Sequence, residues 1–397
     1  DRLGNRTAYE YDASGRTTKV TNKNVVSEEL ASIAYTYDAL DNMTGIVRGD
    51  GLKYALGYNK FHRLESISID GKPEKLIRYA YKNDNGRLKQ MTYANGNTMK
   101  ATYNALGQMV AETWFATEAQ AADPTATPVA RYQYVYDGLG NIAKSIDMLN
   151  KKEYNYNYED GKIIRATESD IDITDGIVTS RTVTSTIRYA YDAEGNLAQK
   201  SVTPIGMMPE TVYYETADDK SIVRLSMGAR TVTCHSGSDA FERKTFDEIQ
   251  LGTDFVSRQF VYHAGQVSSI HKTFEKVKSS ATTRLVSQII LSGGRTISYE
   301  YDAEERITKV TDTVDGVTEY TYDELGQLLT EKRNGEVVNS MEYDNYGNIV
   351  KKNGKTYAYG DSAWKDLLTA YNGTPIAYDK QGNPLTYLGH TLTWEKG

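Results

Sequence analysis

The sequence predicts an all-β chain, an array of antiparallel β-hairpins, and three observations carry that prediction. A phrase of tyrosine, any residue, tyrosine and aspartate recurs along the chain; a DxxG turn signal follows it; and 32 of the 397 residues are tyrosine. The clear copies are YEYDASGR (Tyr9, Tyr11, Asp12, Gly15), YTYDALDN (Tyr35 to Asn42), YVYDGLGN (Tyr134, Tyr136, Asp137, Gly140), YAYDAEGN (Tyr189, Tyr191, Asp192, Gly195), YEYDAEER (Tyr299, Tyr301, Asp302) and YTYDELGQ (Tyr320, Tyr322, Asp323, Gly326). Weaker copies include GYNKFHRL, TYNALGQM, MEYDNYGNI and AYDKQGNPL. Asp302, Asp323 and Asp344 recur at about 21 residues, a spacing that belongs to solenoids and repeat arrays.

Each copy reads as one hairpin. The two tyrosines stand two apart and share a strand face, while the variable residue between them faces the other way. In the turn, aspartate accepts backbone N–H groups and glycine takes positive φ. Asp41 and Glu305 replace that glycine, which predicts backbone strain, the greater at Glu305, unless the turn type changes. Ile307 and Val310 are three apart, which breaks alternation and predicts a bulge or sharp twist just after the turn. Asn95-Gly96, Asp315-Gly316 and Asn334-Gly335 then close the second strand. Stacked in series, such hairpins are expected to set tyrosine beside tyrosine across strands.

Longer intervals mark insertions in what reads as one continuous array over 1–397. They lie near 111–131, where one helical turn is predicted before Pro124, near 170–185 as a lengthened hairpin, and over 241–291, where only VYHAGQV echoes the phrase. A short helix is predicted near 361–371, capped by Asp361 or Ser362 and stopped at Asn372-Gly373. The chain opens in a turn, Asp1-Arg2-Leu3-Gly4, and stops in another, Glu395-Lys396-Gly397, which suggests a piece of a longer protein.

Composition narrows the function classes. Leu, Ile, Val and Phe make up roughly a fifth of the chain, close to the disordered range, but tyrosine stabilises a thin, half-wet core because its ring buries while its hydroxyl stays polar. The net charge of -7, without a run of basic residues, argues against nucleic acid and anionic membranes as partners. No apolar stretch is long enough to insert directly into a membrane as a helix. The single cysteine, Cys234, excludes an internal disulfide frame and a cysteine-based zinc site.

The YxYDxxG(R/N)(L/I) series, covering nearly the whole chain, resembles the RHS or YD-repeat proteins, which include bacterial polymorphic toxins, the C components of Tc toxin complexes and the teneurins. The closing GNPLTYLGHTLTWEKG is also similar to RHS repeats. The resemblance implies hairpins coiled into a spiral sheet that forms part of a hollow shell. It also implies a secreted or cell-surface bacterial setting, and partners in the same polypeptide: flanking repeats, a C-terminal core and an effector. The self-cleaving core motif of toxin members does not appear in this sequence.

Chemistry-bearing residues offer little beside this. Recurring aspartates are explained by the turns, and Asp170, Asp172 and Asp175 only faintly suggest a calcium loop, with Arg181 where the bidentate glutamate belongs. His62, His235, His263, His271 and His390 are scattered, and Cys234-His235, adjacent on a strand, point to opposite faces. No catalytic residue, metal ligand or cofactor is therefore assigned. The leading expectation is a non-enzymatic shell segment that encapsulates a C-terminal toxin or other cargo. The alternative is a surface adhesion module binding carbohydrate or a partner protein, with Trp114, Trp364 and Trp394, which lie off the repeat, as ligand-contact aromatics.

Overall fold

The computed structural model describes residues 4–217, 222–264 and 282–394. The two terminal turns, His271 and the end of VYHAGQV lie outside the described residues. Two compact units are present, one of residues 4–187, 204–207 and 343–397 and one of 188–203 and 208–342. Each is built of antiparallel hairpins pairing with their sequence neighbours, and among the described residues one short helix, Glu118–Ala122, interrupts the strands. That helix falls where the interval before Pro124 predicts a helical turn, with Thr117 and Gln120 forming a capping box.

One hairpin of the second unit explains the others. Strands Thr296–Tyr301 and Ile307–Asp312 pair Glu300 with Lys309 but Tyr301 with Ile307, so Thr308 is the extra residue of a bulge at the predicted place. Between them Asp302 Oδ1 accepts the N–H groups of Glu304 and Arg306, each at 2.9 Å, and Oδ2 accepts from Arg306 Nε at 2.6 Å. Glu305 takes φ 65° in the glycine slot, as do Asp41 (65°), His62 (60°) and Glu242 (59°) in theirs. Left-handed backbone costs about 1–2 kcal/mol in a non-glycine residue. The first residue's side chain offsets that cost by satisfying two N–H groups of its turn.

The role of the second tyrosine differs from the expectation. In eight copies its hydroxyl donates to a carbonyl on the returning strand of the preceding hairpin, at 2.6–3.1 Å: Tyr37 to Thr17, Tyr81 to Leu64, Tyr136 to Met109, Tyr158 to Ile142, Tyr262 to Lys244, Tyr301 to Val286, Tyr322 to Ile307 and Tyr359 to Ile349. Where Arg follows the turn, its guanidinium covers the next repeat's ring: Arg16 over Tyr37 at 4.7 Å, Arg243 over Tyr262 at 4.6 Å and Arg306 over Tyr322 at 4.8 Å. The tyrosine-on-tyrosine contacts seen at Tyr357, Tyr371 and Tyr387 are not between consecutive YxYD copies. The reason is spacing. Equivalent tyrosines stand two strands apart, about 9.5 Å at roughly 4.8 Å per strand, beyond the reach of a ring pair.

Cores are accordingly small. Met99, Ala101, Trp114 and Ala130 form one, and Ile146, Met148 and Ile171 another. The helix expected near 361–371 is absent. Asp361 does accept from the N–H groups of Ala363 and Trp364, but the segment continues as turns. Pairing of Tyr357 with Tyr371 ties its two ends together, and its charged side chains are held elsewhere, as described below. Asn334-Gly335 has positive φ at both residues, as a two-residue hairpin requires, whereas at Asn95-Gly96 and Asp315-Gly316 only the glycine does.

The turn clasps make the fold acid-sensitive. The side chains of Arg16, Asn141 and Arg243 hold Asp12, Asp137 and Asp239 below the ordinary carboxylate pKa, and Arg295 lowers Asp312 to about 2. Such a group contributes stability that is complete above its unfolded pKa of 3.8 and is lost as pH falls through the folded value. The melting temperature, followed by circular dichroism, is expected to be flat from about pH 7 to about pH 5 and to fall from about pH 4 toward about pH 2. A melting temperature unchanged at about pH 2.5 would contradict this.

Candidate functional site on the glycine-turn edge

Because every pairing is antiparallel, alternate turns fall on opposite edges of the sheet. The DxxG turns form one edge and the shorter glycine turns the other. In the first unit the glycine-turn edge from Arg48 to Asn97 is met by the chain from Tyr343 onward, and side chains from distant parts of the sequence bond one another there. Leu52 and Ile69, each 1% exposed, lie on this edge.

Arg48 is its hub. The guanidinium forms a bidentate pair with Asp50 (3.1 and 2.7 Å), stands 3.8 Å from Asp366 and lies 4.9 Å from the centre of the Tyr346 ring. Tyr54 donates its hydroxyl to Asp366 at 3.3 Å, and Lys365 donates to the Asp50 carbonyl. Further along, Lys72 pairs with Asp361, Glu74 with Lys380 at 3.1 Å, and Asn95 Nδ2 donates to Asp379 at 3.1 Å. The backbone N–H of Ala94 donates to Gln381 Oε1 at 2.9 Å. Burial opposes the charge on Asp50 and Asp361, but Arg48 and Lys72 outweigh it and leave both below the ordinary range. Burial, helped by the negative charge of Asp366, pushes the Tyr54 hydroxyl up.

Tyr346 and Gln381 occupy the same place in their turns, the third position of DNYG and DKQG. Each touches a glycine turn: Tyr346 lies so close to Gly49 that a Cβ there would stand 2.5 Å from its hydroxyl, and Gln381 binds the turn at Ala94. The arrangement is a mechanical clasp with charged and polar teeth.

The aromatic candidates separate. Trp114 is buried in the small core with Met99 and Ala130 and stacks on Tyr93 at 6.3 Å. Trp364 is half-buried, with its ring against Gly382. Trp394 is 43% exposed and donates to the Pro384 carbonyl at 2.7 Å. Near it in sequence, Tyr371, Thr374, Pro375, Ile376, Thr386, Tyr387, Leu388 and Gly389 line a cleft of about 390 Å³. The predicted repeat residues, from Tyr9 to Gly326, lie outside this cleft.

Of the remaining polar candidates, His263 bonds the Tyr299 carbonyl at 3.0 Å and sits edge-on to Tyr301. His62 occupies a turn and His390 is exposed. Cys234 pairs with Ile249 and His235 with Glu248 in the ladder, and the thiol is half-buried rather than enclosed. Asp170 is paired with Lys152 at 2.8 Å, and Asp172 accepts from Ser180 Oγ. Sequence reasoning passed over Glu153, 1% exposed and paired with Arg181 at 2.8 Å and Lys144 at 3.5 Å. It also passed over the entire clasp. The one local signal for the clasp was the long DSAWKDLL segment without a repeat phrase.

The teneurin YD-shell family model matches residues 4–113 and 221–383. Comparison with curated proteins gives no significant match. Among solved structures, the crystal structure of TcdB2-TccC3-TEV has 13% identity and a TM-score of 0.41, over 97% of this chain and 22% of that one. TcdB2-TccC3 without its hypervariable C-terminal region has 12% identity and a TM-score of 0.43, over 96% and 22%. The Tc holotoxin pore of Photorhabdus luminescens has 12% identity and a TM-score of 0.41, over 96% and 23%. The chain thus spans less than a quarter of the length of these three solved chains.

If the clasp holds the end of the chain in place, loosening it should free that end without unfolding the repeats. In Gly382→Ala an added Cβ would stand 2.4 Å from the Trp364 ring at φ 90°, a strain of about 1–3 kcal/mol. Limited proteolysis is expected to cut the region 355–394 at least several-fold faster in Gly382→Ala and in Lys72→Ala, with the strand signal in circular dichroism unchanged. Unchanged cleavage in both variants would refute the clasp.

Proposed function

Because the chain belongs to the teneurin YD-shell family, we propose that it is a non-enzymatic wall segment of a longer protein that encloses a C-terminal toxin or other cargo. The observation that carries this reading is the contact from each repeat to the one before it. Phenol, carbonyl, guanidinium and carboxylate join neighbouring hairpins into a wall one sheet thick, with no large interior of its own to satisfy. A wall of paired strands exposes few free edges and excludes proteases from what it surrounds. The residues form one repeat array, its partners are flanking repeats and the enclosed cargo, and its setting is secreted or at a bacterial surface.

A second reading, a carbohydrate-binding surface module, has one observation in its favour. The cleft beside Tyr371 and Tyr387 offers ring faces together with the hydroxyls of Thr374 and Thr386, the chemistry that meets a pyranose.

Electron microscopy of the full-length product, with limited proteolysis of its C-terminal domain, tests the first reading against the second. Encapsulation predicts density inside a closed wall and a C-terminal domain that resists protease until the wall is denatured. An empty or open wall with a freely digested C-terminal domain would overturn it, and loss of glycan-array binding on Tyr371→Ala would establish the second reading instead.

A further inference from the structure

Five Asn-Gly pairs punctuate the chain between strands: Asn85-Gly86, Asn95-Gly96, Asn334-Gly335, Asn353-Gly354 and Asn372-Gly373. An Asn-Gly pair can react with itself, because glycine has no Cβ to hinder approach to its nitrogen. That nitrogen attacks the asparagine side-chain carbon: the N–Cγ bond forms, the Cγ–Nδ2 bond breaks, and ammonia leaves with the proton of the glycine N–H. Water then opens the resulting imide ring. Opening at Cγ gives aspartate, and opening at the main-chain carbonyl gives isoaspartate, whose backbone runs through the side chain. The reaction takes only water, a side chain free to turn and a glycine nitrogen free to lose its proton.

Four of the five pairs are engaged. Asn95 Oδ1 accepts from the Asn97 N–H and Nδ2 donates to Asp379, each at 3.1 Å, while the Gly96 N–H donates to the Tyr93 carbonyl at 2.9 Å. Asn85 Oδ1 accepts from the Arg87 N–H at 3.0 Å, and the Gly86 N–H donates to the Lys82 carbonyl at 2.9 Å. Asn334 Oδ1 accepts from the Val317 N–H at 2.8 Å and Nδ2 donates to the Asp315 carbonyl at 3.3 Å, which ties the amide to the preceding hairpin. Asn353 also has a bonded partner. Asn372 differs. It is exposed, and among the described residues neither its side-chain amide nor the Gly373 N–H has a hydrogen-bond partner. Nothing lies within 4 Å of where a Cβ would stand on Gly373. Ring closure requires the left-handed turn, φ 47° and 79°, to open. The strands that hold it shut, Ala370–Tyr371 and Thr374–Pro375, are two residues each, against six and eight beside Asn334. Few backbone bonds make local opening frequent.

We propose that Asn372 is a self-modifying site, which converts to isoaspartate and aspartate in the folded protein ahead of Asn85, Asn95 and Asn334, and that its conversion takes apart the cleft beside it. Isoaspartate lengthens the main chain by a carbon inside a two-residue turn, so Tyr371 no longer faces Thr374. The Asn372 N–H, which donates to the Thr356 carbonyl at 2.7 Å, and the pairing of Tyr357 with Tyr371 lose register with it. Tyr371 and Thr374 are walls of the cleft, whose lining carries no charged side chain until the new carboxylate arrives at its rim. The site stands independently of what the wall encloses.

Incubation of the purified chain in heavy-oxygen water at mildly alkaline pH, followed by peptide mapping with mass spectrometry, tests this. Alkali deprotonates the glycine nitrogen, and heavy oxygen marks each imide opened during the incubation. The peptide carrying Asn372 is expected to take up label at least several-fold faster than those carrying Asn85, Asn95 and Asn334, with isoaspartate in excess of aspartate. In denaturant the four rates are expected to converge. Label at this position is expected to vanish in Asn372→Gln, whose longer side chain closes a ring far more slowly. Limited proteolysis is expected to cut the converted protein within 355–394 faster than the unconverted protein. Label entering at Asn95 or Asn334 as fast as at Asn372 in the native chain, the same spread of rates in native and denatured chains, or equal proteolysis of converted and unconverted protein would each overturn the proposal.

Discussion

The fold depends on one hydrogen bond made again and again, from the second tyrosine of a repeat to a carbonyl at the bulge of the repeat before it. The bulge is the price of the DxxG turn: closing the hairpin through a left-handed residue leaves the next strand one residue out of register. A carbonyl there needs a donor from outside the ladder, and tyrosine has the length to cross one strand and supply it. Turn, bulge and tyrosine are thus one device. Each such bond contributes about 1 kcal/mol net, and an Arg guanidinium over the same ring adds about 0.5–1 kcal/mol. Where the sum runs over nearest neighbours, stability grows with repeat number and a large common core is unnecessary.

The same device gives the sheet two different edges. On the DxxG edge the side chain of the opening residue braces the backbone, so whatever stands third in the turn is displayed on a fixed support. On the other edge the glycine turns are lean enough for a neighbour to approach the backbone, as Tyr346 does at Gly49. The meeting of these edges in the Arg48–Asp366 assembly shows what each is suited for. It also accounts for the concentration of enclosed aliphatics, such as Leu52 and Ile69, at an edge instead of a centre.

Much of this was legible in the residues, because it is local. The two-residue spacing of Tyr299 and Tyr301 gave the strand face, the DxxG signal gave the turn, and the three-residue step from Ile307 to Val310 gave the bulge. The strained glycine slots at Asp41 and Glu305 followed from the same register. What was not legible required a partner far away in sequence. Nothing in YxYD says whether the hydroxyl meets another ring or a carbonyl of the neighbouring strand, although the recurrence of Arg16, Arg243 and Arg306 beside their turns was a usable hint. The segment 361–371 has the caps and composition of a helix, yet Lys365 and Asp366 are drawn to Asp50 and Tyr54, more than three hundred residues earlier, and tertiary bonds outweigh propensity. Trp114 shows the converse: a conspicuous aromatic outside the repeat belongs to a small core.

The most direct measurement is native-state hydrogen exchange of Tyr322→Phe against Tyr11→Phe. Tyr322 bonds the Ile307 carbonyl, whereas Tyr11 is 60% exposed. If the hydroxyl joins consecutive repeats, the first substitution speeds exchange in the preceding hairpin, Thr296–Tyr301 with Ile307–Asp312, as well as in its own, and the second leaves exchange unchanged. Faster exchange confined to the hairpin that carries Tyr322, or equal effects from the two substitutions, would contradict the account.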